Sequence, residues 1–408
     1  MTAVDRENIT SYIICWNYYS QEYPMTTTDD RIRTTHIGSL PRPPALLDLL
    51  EARQNDEPVD EDEWNETVAE ATRDVVERQA EVGLDVVNNG EQSRVSFNWY
   101  VADRLSGIDG KREQELWADL QEFPEYAEET FKTDVIDLSM QPVVDGPIEY
   151  TGRAEAEDEL EAFRDALATV DADFEGTFVT SASPSIVATT HVNEYYDTYE
   201  EYLFAVADAM QTEYELVAET GMTLQIDAPE LLTIGQTATY ADEPLEDVKD
   251  ATRLHVEALN EALENVPEEQ VRLHTCWGSY EGPHHLDADL VDLLPEIYEA
   301  DITGLSVEQA NPRHQHEYRA FAEQPLPDDW TLMPGVIDVK TNIIDHPETI
   351  ADRLERVADA VDESTPIVAA PDCGFGTQAG LGMVDPEIAW AKLEALVEGA
   401  EIATERLY

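Results

Sequence analysis

An imidazole and a thiol stand two residues apart in the run Val271-Arg272-Leu273-His274-Thr275-Cys276. The run enters apolar and leaves into Trp277-Gly278-Ser279, a loop start, so it reads as a strand end. Side chains alternate along a strand, which puts His274 and Cys276 on one face. Imidazole nitrogen and thiolate sulfur are donors that zinc takes, although a buried cysteine is equally at home in an apolar core. Cysteine scarcity favours the metal: the chain has Cys15, Cys276 and Cys373 and no more. Cys373 follows Pro366-Ile367-Val368-Ala369-Ala370, again a strand ending in a glycine-rich loop, Pro371-Asp372-Cys373-Gly374. Between the two, Gly304-Leu305-Ser306-Val307-Glu308 ends on a carboxylate. His274, Cys276, Glu308 and Cys373 make a four-ligand N/S/O set for zinc (Zn2+), provided the fold gathers three strand ends.

Apolar runs ending near Gly38, Asn88, Ser181, Asp227, Cys276, Glu308, Asp338 and Ala370 alternate with helical periodicity. Trp64, Val68, Ala71 and Val75 mark one helix face, with Gly83 as its stop. Ile350, Leu354, Val357 and Val361 mark another, and a last helix is expected from Pro386 to about Val397. Eight strand–helix units predict an α/β fold of the (β/α)8 TIM-type barrel. Residues 106–150 break the rhythm and predict an insertion after the second strand, a small antiparallel sheet. No linker divides the pattern, so residues 25–408 are expected to form one domain. In such barrels chemistry sits on the rim formed by the loops after the strands. Strand ends one, two, four and seven would place Ser39, Glu91, Asp227 and Lys340 around the metal set.

Composition narrows the class. The chain has 24 basic and 89 acidic residues, a formal charge of −65 spread along its length. Nucleic acid and anionic membranes demand basic patches, so neither is expected as a partner. Acid at this density, with only five lysines, predicts a high-salt cytoplasm in which screening tolerates self-repulsion. Disorder is excluded by 42% hydrophobic residues in periodic segments. Three cysteines exclude a disulfide scaffold and fit a reducing compartment. No apolar run reaches the ~20 residues of a membrane span. Residues 1–24 form an apolar leader too short and too weakly basic for a signal peptide, and Met25 is the expected natural start.

The motifs Thr35-His36-Ile37-Gly38-Ser39-Leu40-Pro41, Asn89-Gly90-Glu91, Gln225-Ile226-Asp227-Ala228-Pro229, His274-Thr275-Cys276, Ser306-Val307-Glu308, Pro334-Gly335-Val336-Ile337-Asp338 and Pro371-Asp372-Cys373-Gly374 together resemble the cobalamin-independent methionine synthase family. The resemblance is to its catalytic-barrel half; the amino-terminal barrel of the longer enzymes has no counterpart. Gly90-Glu91-Gln92-Ser93-Arg94 and Cys276-Trp277-Gly278-Ser279-Tyr280-Glu281-Gly282-Pro283-His284 are closer to a single-barrel branch that also resembles epoxyalkane:coenzyme M transferases. The family implies zinc on His274, Cys276, Glu308 and Cys373, and a homocysteine pocket at Ile37, Gly38, Ser39, Glu91 and Asp227. Chemically, Glu91 and Asp227 suit a substrate ammonium and the Ile37–Ser39 backbone suits a carboxylate. Zinc lowers the pKa of a bound thiol and makes the attacking thiolate. Glu308, the hardest ligand, is expected to yield as substrate sulfur binds.

The departures lie in the donor half. Lys340 stands where methionine synthases place a proton-donating histidine, and acid catalysis, anion binding and a solvated surface role remain open for it. The folate-supporting tryptophan after the third strand is replaced by Ser181-Ala182-Ser183-Pro184, and Thr233 appears where a folate-contacting Glu is expected. A reduced pterin or a methyl-corrinoid protein is therefore the expected methyl donor. His284-His285 and His314-x-His316 lie in loops, where lining the pocket competes with a second metal. Three functions stand together: methyl transfer to homocysteine giving methionine, coenzyme M alkylation by epoxide opening, and a non-catalytic zinc barrel. The last is disfavoured because closed structural sites usually carry four Cys/His ligands rather than a Glu.

Overall fold

The computed structural model describes residues 31–55, 57–113, 116–130, 135 and 140–408. The leader 1–24, Cys15 and Met25 lie outside them. Eight parallel strands form one sheet: β1 (Arg33–Thr34), β2 (Val86–Val87), β3 (Gly176–Ala182), β4 (Thr223–Asp227), β5 (Val271–Thr275), β6 (Gly304–Val307), β7 (Thr331–Ile337) and β8 (Val368–Pro371). Their spatial order is β1-β8-β7-β6-β5-β4-β3-β2, and a parallel bridge from Thr35 to Val86 joins the two ends into a ring. This is the expected (β/α)8 barrel.

The helices start and stop for local reasons. Asp60 caps Glu61–Val82 by accepting from the N–H groups of Asp62 and Glu63, and Gly83 ends it at φ +87°. Pro386–Leu407 runs ten residues past the expected Val397. Gly399 sits within it and lets Ile350 approach, where a Cβ would lie 2.5 Å from the Ile350 Cγ2. Glycine there serves helix packing rather than termination. The helix Pro347–Ala358 ends before Val361. Pro184–Thr190, unforeseen in the sequence, is capped by Ser183 with proline in its first turn.

β1 and β2 are shorter than the apolar runs suggest. The chain leaves the ladder at Gly38 (φ +147°), Gly90 (φ +67°) and Glu91 (φ +54°) to bend over the barrel mouth. The insertion carries an antiparallel pair, Ile108–Glu113 with Met140–Val144, as expected. A third strand, Val192–Asn193, joins that sheet in parallel. Short helices at Ala118–Gln121 and Pro124–Thr130 complete the excursion.

Outward-facing Leu224, Ile226, Leu273, Leu305 and Val307 join the helices in one continuous core. The barrel interior mixes polar side chains with a small apolar cluster of Ile37, Met333, Val368 and Ala370. Arg272 is buried there, donating to Gln225 Oε1 at 2.8 Å and to the His36 carbonyl at 3.1 Å, with its guanidinium 3.7 Å from the centre of the Phe178 ring. Among the described residues no helix is long and apolar enough to cross a membrane.

Candidate metal and substrate centre

Strand register assembles the centre. Asp227 pairs with His274, and His274 with Ser306, so three side chains on β4, β5 and β6 share one row. His274 Nδ1 lies 3.2 Å from Ser306 Oγ, while its Nε2 is buried without a hydrogen-bond partner. The Ser306 hydroxyl both donates and accepts, so this contact is compatible with the tautomer that leaves Nε2 a free lone pair to ligate. The donor atoms of His274, Cys276 and Cys373 lie within 4.8 Å of one another, all buried. Both thiols are unbridged. The Cys276 thiol donates toward Cys373, which pushes Cys276 up and holds Cys373 well below the usual thiol range. An unpartnered imidazole nitrogen beside two sulfurs is a donor set that suits zinc with one position to spare.

Glu308 stands apart from this cluster. Its carboxylate accepts from the Trp277 N–H at 3.2 Å, from Asn311 Nδ2 and from Lys340 Nζ. Burial lowers the Lys340 pKa, but Glu308 and then Asp372 more than offset this, and the ammonium ends above its ordinary range. Asp372 fixes the surroundings: Oδ1 accepts from the N–H groups of Gln309 (2.8 Å) and Ala310 (2.7 Å), and Oδ2 from Asn311 (3.1 Å). The loop carrying Glu308 and the strand end carrying Cys373 are thereby tied together.

The other wall is carboxylate-rich. Glu91 Oε1 accepts from Thr180 Oγ1 at 3.0 Å, and its Oε2 is buried without a partner. Thr180 in turn accepts from Arg94 at 3.1 Å, and Arg94 is held by Glu159 at 2.9 Å. Asp227 Oδ1 takes one bond, from Gln225 Nε2 at 2.7 Å. Burial raises the pKa of Glu91. It pushes Asp227 up to about 8, with Glu91 adding to the rise and His274 opposing it. Arg94 and Arg42 oppose the rise at Glu91 without cancelling it, and two buried carboxylates with raised pKa favour a cation between them.

Ile37, Gly38 and Ser39 close the gap between the walls. The Ile37 carbonyl accepts from Gln225 Nε2. Gly38 touches Glu91: a Cβ there would lie 2.4 Å from Glu91 Oε1. The Ser39 carbonyl accepts from Phe375 N at 2.9 Å, beside Cys373. All ten residues expected at the metal and substrate sites are thus buried, and they lie at or beside the strand ends.

The loop histidines divide. His284 and His314 converge on Asp287, a residue the motifs did not single out. His285 faces Glu122 at 3.3 Å in solvent, and His316 lies beside Glu317 at 3.6 Å, also exposed. Ser306, Thr180 and Gln225, which position the site, were also missed as functional residues. Ser306 is the one polar side chain in the strand Gly304–Val307, and Gln225 stands between Leu224 and Ile226, a signal that could have found these two; Thr180, among Thr177 and Ser181, carries none.

Comparison with known proteins agrees with this geometry. The model of the family described as "Cobalamin-independent synthase, Catalytic domain" matches residues 32–124 and 158–401. A methionine synthase of Thermococcus kodakarensis is 25% identical over 375 residues, spanning 92% of this chain and 94% of its own. One from Saccharolobus islandicus is 26% identical over 383 residues, spanning 92% and 95%. In fold, a B12-independent methionine synthase from Shewanella sp. W3-18-1, in complex with selenomethionine, superposes with TM-score 0.68 at 19% identity, covering 92% of this chain and 99% of its own. A putative vitamin-B12 independent methionine synthase from Listeria monocytogenes gives 0.62 at 20%, covering 91% and 98%. With a family model matched over most of its length, the chain belongs to the cobalamin-independent methionine synthase family, in its catalytic domain.

Proposed function

We propose that the protein is a zinc-dependent methyltransferase that transfers a methyl group to the thiol of homocysteine, giving methionine. The observation that carries this reading is the meeting of one unpartnered imidazole nitrogen and two sulfurs with two under-compensated carboxylates on the same rim. His274, Cys276 and Cys373 would hold the zinc, with Glu308 as a fourth, displaceable ligand. When bound, the ion supplies a positive centre that keeps a substrate thiol in its nucleophilic form near neutral pH.

Protein groups do the rest. Glu91 and Asp227 bind the substrate ammonium, which restores their ionised forms against burial. The backbone of Ile37–Ser39 takes the carboxylate. Glu308 has a second resting place on Lys340 and Asn311, so it can leave the fourth position without becoming an unpaired buried charge. This gives Lys340 a positioning role in the reaction. A reduced pterin or a methyl-corrinoid protein would be the donor. Residues 25–408 act as one catalytic barrel in this reading, in a high-salt cytoplasm.

Coenzyme M alkylation is the alternative. It requires a cation free to meet a sulfonate, and the engagement of Lys340 by Glu308 counts against it. Zinc K-edge absorption in high salt, with homocysteine and coenzyme M added in turn, tests both. A gain of one sulfur ligand per protein chain with homocysteine alone is expected. The same gain with coenzyme M alone would overturn the assignment in favour of epoxide opening, and no change with either would reduce the zinc to a structural role.

A further inference from the structure

A second cluster lies across Trp277 from the sulfur centre. His284 Nδ1 and His314 Nε2 face the same oxygen, Asp287 Oδ2, at 2.9 and 3.0 Å. These three donor atoms lie within 4.8 Å of one another, and His284, Asp287 and His314 are 4%, 7% and 1% exposed.

Hydrogen placement decides what the cluster is. His284 Nε2 lies 3.0 Å from the Tyr280 carbonyl oxygen, which only accepts, so that nitrogen carries the proton. In a neutral ring Nδ1 then presents a lone pair to a carboxylate oxygen. The contact is repulsive unless Nδ1 takes a second proton or a metal ion sits between the two. The outward-facing groups match a metal. Ligating histidines direct their other N–H at a carbonyl or carboxylate, and ligating carboxylates are themselves hydrogen-bonded. His284 has the Tyr280 carbonyl. His314 Nδ1 has no hydrogen-bond partner and faces Glu317 Oε1 at 3.9 Å. Asp287 Oδ1 accepts from Gln236 Nε2.

Charge points the same way. Asp119, Asp287, Glu308 and Glu317 are all buried on this side, and the Lys340 ammonium is committed to Glu308. One additional proton leaves this region strongly anionic, whereas a divalent cation offsets it.

We propose that His284 Nδ1, Asp287 Oδ2 and His314 Nε2 bind a divalent transition-metal ion, of the zinc class, at a second site distinct from the His274–Cys276–Cys373 centre. Two imidazoles and one carboxylate suit zinc and its first-row neighbours. The site pins the loop after β5 to the loop after β6. Trp277 is the shared wall: its indole stacks on the His314 ring at 3.7 Å and 5°, and its backbone N–H donates to Glu308 at 3.2 Å. The inference does not depend on which thiol or donor the first centre uses.

Cobalt(II) alone, added to the metal-stripped full chain in high salt, tests it. Two equivalents are expected in the unaltered protein. The double variant Cys276→Ser/Cys373→Ser should keep one, with visible ligand-field bands and no near-ultraviolet thiolate charge-transfer band. Asp287→Asn should also keep one, but with the thiolate band. A folded double-cysteine variant that binds no cobalt would overturn the proposal, as would Asp287→Asn that still binds two. If either variant fails to fold, the native mass of the unaltered zinc-loaded protein decides: two ions uphold the site and one removes it.

Discussion

Lys340 and Glu308 form an ion pair across the strand ends of β7 and β6, the ammonium 6% exposed and the carboxylate fully buried. The pair holds the carboxylate away from the sulfur cluster. Removing one partner of a buried pair costs about 3–5 kcal/mol, because the remaining charge is stranded. Lys340→Met should therefore destabilise the metal-free protein by about that amount. With zinc bound, Glu308 gains another partner and the loss should shrink by more than half. Denaturant unfolding with and without zinc measures both, and equal losses would show that Glu308 never reaches the metal.

Cys276→Ser and Cys373→Ser should each lose the zinc of the His274–Cys276–Cys373 centre, lowering bound metal by one equivalent per chain, and abolish methyl transfer with it, read by metal analysis and a methionine-forming assay. Glu308→Gln should retain part of the zinc with activity reduced at least about tenfold, or about 1.4 kcal/mol of transition-state stabilisation. Full activity in Glu308→Gln would make carboxylate exchange irrelevant to the reaction.

Gly38→Ala places a Cβ 2.4 Å from Glu91 Oε1 and 2.8 Å from Thr180 Cγ2, at a φ of +147° that favours glycine. Glu91 must move. The expected result is a KM for homocysteine raised at least about tenfold, the loss of one good polar contact, with zinc content unchanged. An unaltered KM would remove Glu91 from the substrate pocket.

Glu230 gives a pH signature. It accepts from Ser183 at 2.6 Å and from Ser185, and its Oε2 is buried without a partner. Burial pushes its pKa from the ordinary 4.5 up to about 7, against the two serine bonds. A raised carboxyl pKa favours the folded state fully below the ordinary value, and that contribution is lost as pH rises through the folded value. Stability should thus fall by about 3 kcal/mol from this group between pH 4.5 and 8. Glu230→Gln should flatten that part of the stability–pH curve in chemical unfolding. Parallel curves for the two proteins would contradict it.

Net charge sets the salt response. With −65 on 408 residues, lowering ionic strength from about 1 M to 0.1 M lengthens the screening distance from ~3 to ~10 Å and exposes self-repulsion. The unfolding midpoint should drop steeply over this range. The Arg94–Glu159–Arg104–Glu213 network is buried and shielded from salt, so a salt-independent midpoint would mean that such pairs, not the surface, dominate stability.

The barrel is legible in the chain because apolar runs and helical periodicity alternate eight times. Its rim residues are legible because most of these runs stop on or just before a polar or sulfur-bearing side chain. Less was readable where one signal serves two ends. Gly399 resembles a helix stop and instead admits Ile350, and Ser183-Pro184 resembles a loop and instead caps a helix. His274 and Cys276 share the tip of β5 while Cys373 follows β8, with β6 and β7 between them, so closure of the ring brings the set together across the barrel mouth. The meeting of His284, Asp287 and His314 depends on two loop paths, and no periodicity encodes those. Lys340 stood out as a rare residue, but only the fold shows that its partner is Glu308.

The excursion after β2 returns to the loop after β5. Tyr280 donates to Asp119 at 2.9 Å across 161 residues of chain, the His284 N–H reaches the same carboxylate at 3.0 Å, and Trp117 lies where a Cβ on Gly278 would meet it at 2.9 Å. The rim beside Cys276 is therefore held in part by a segment distant in sequence. A change in the excursion that displaces Asp119 or Trp117 reaches the mouth of the barrel without touching any of its strands.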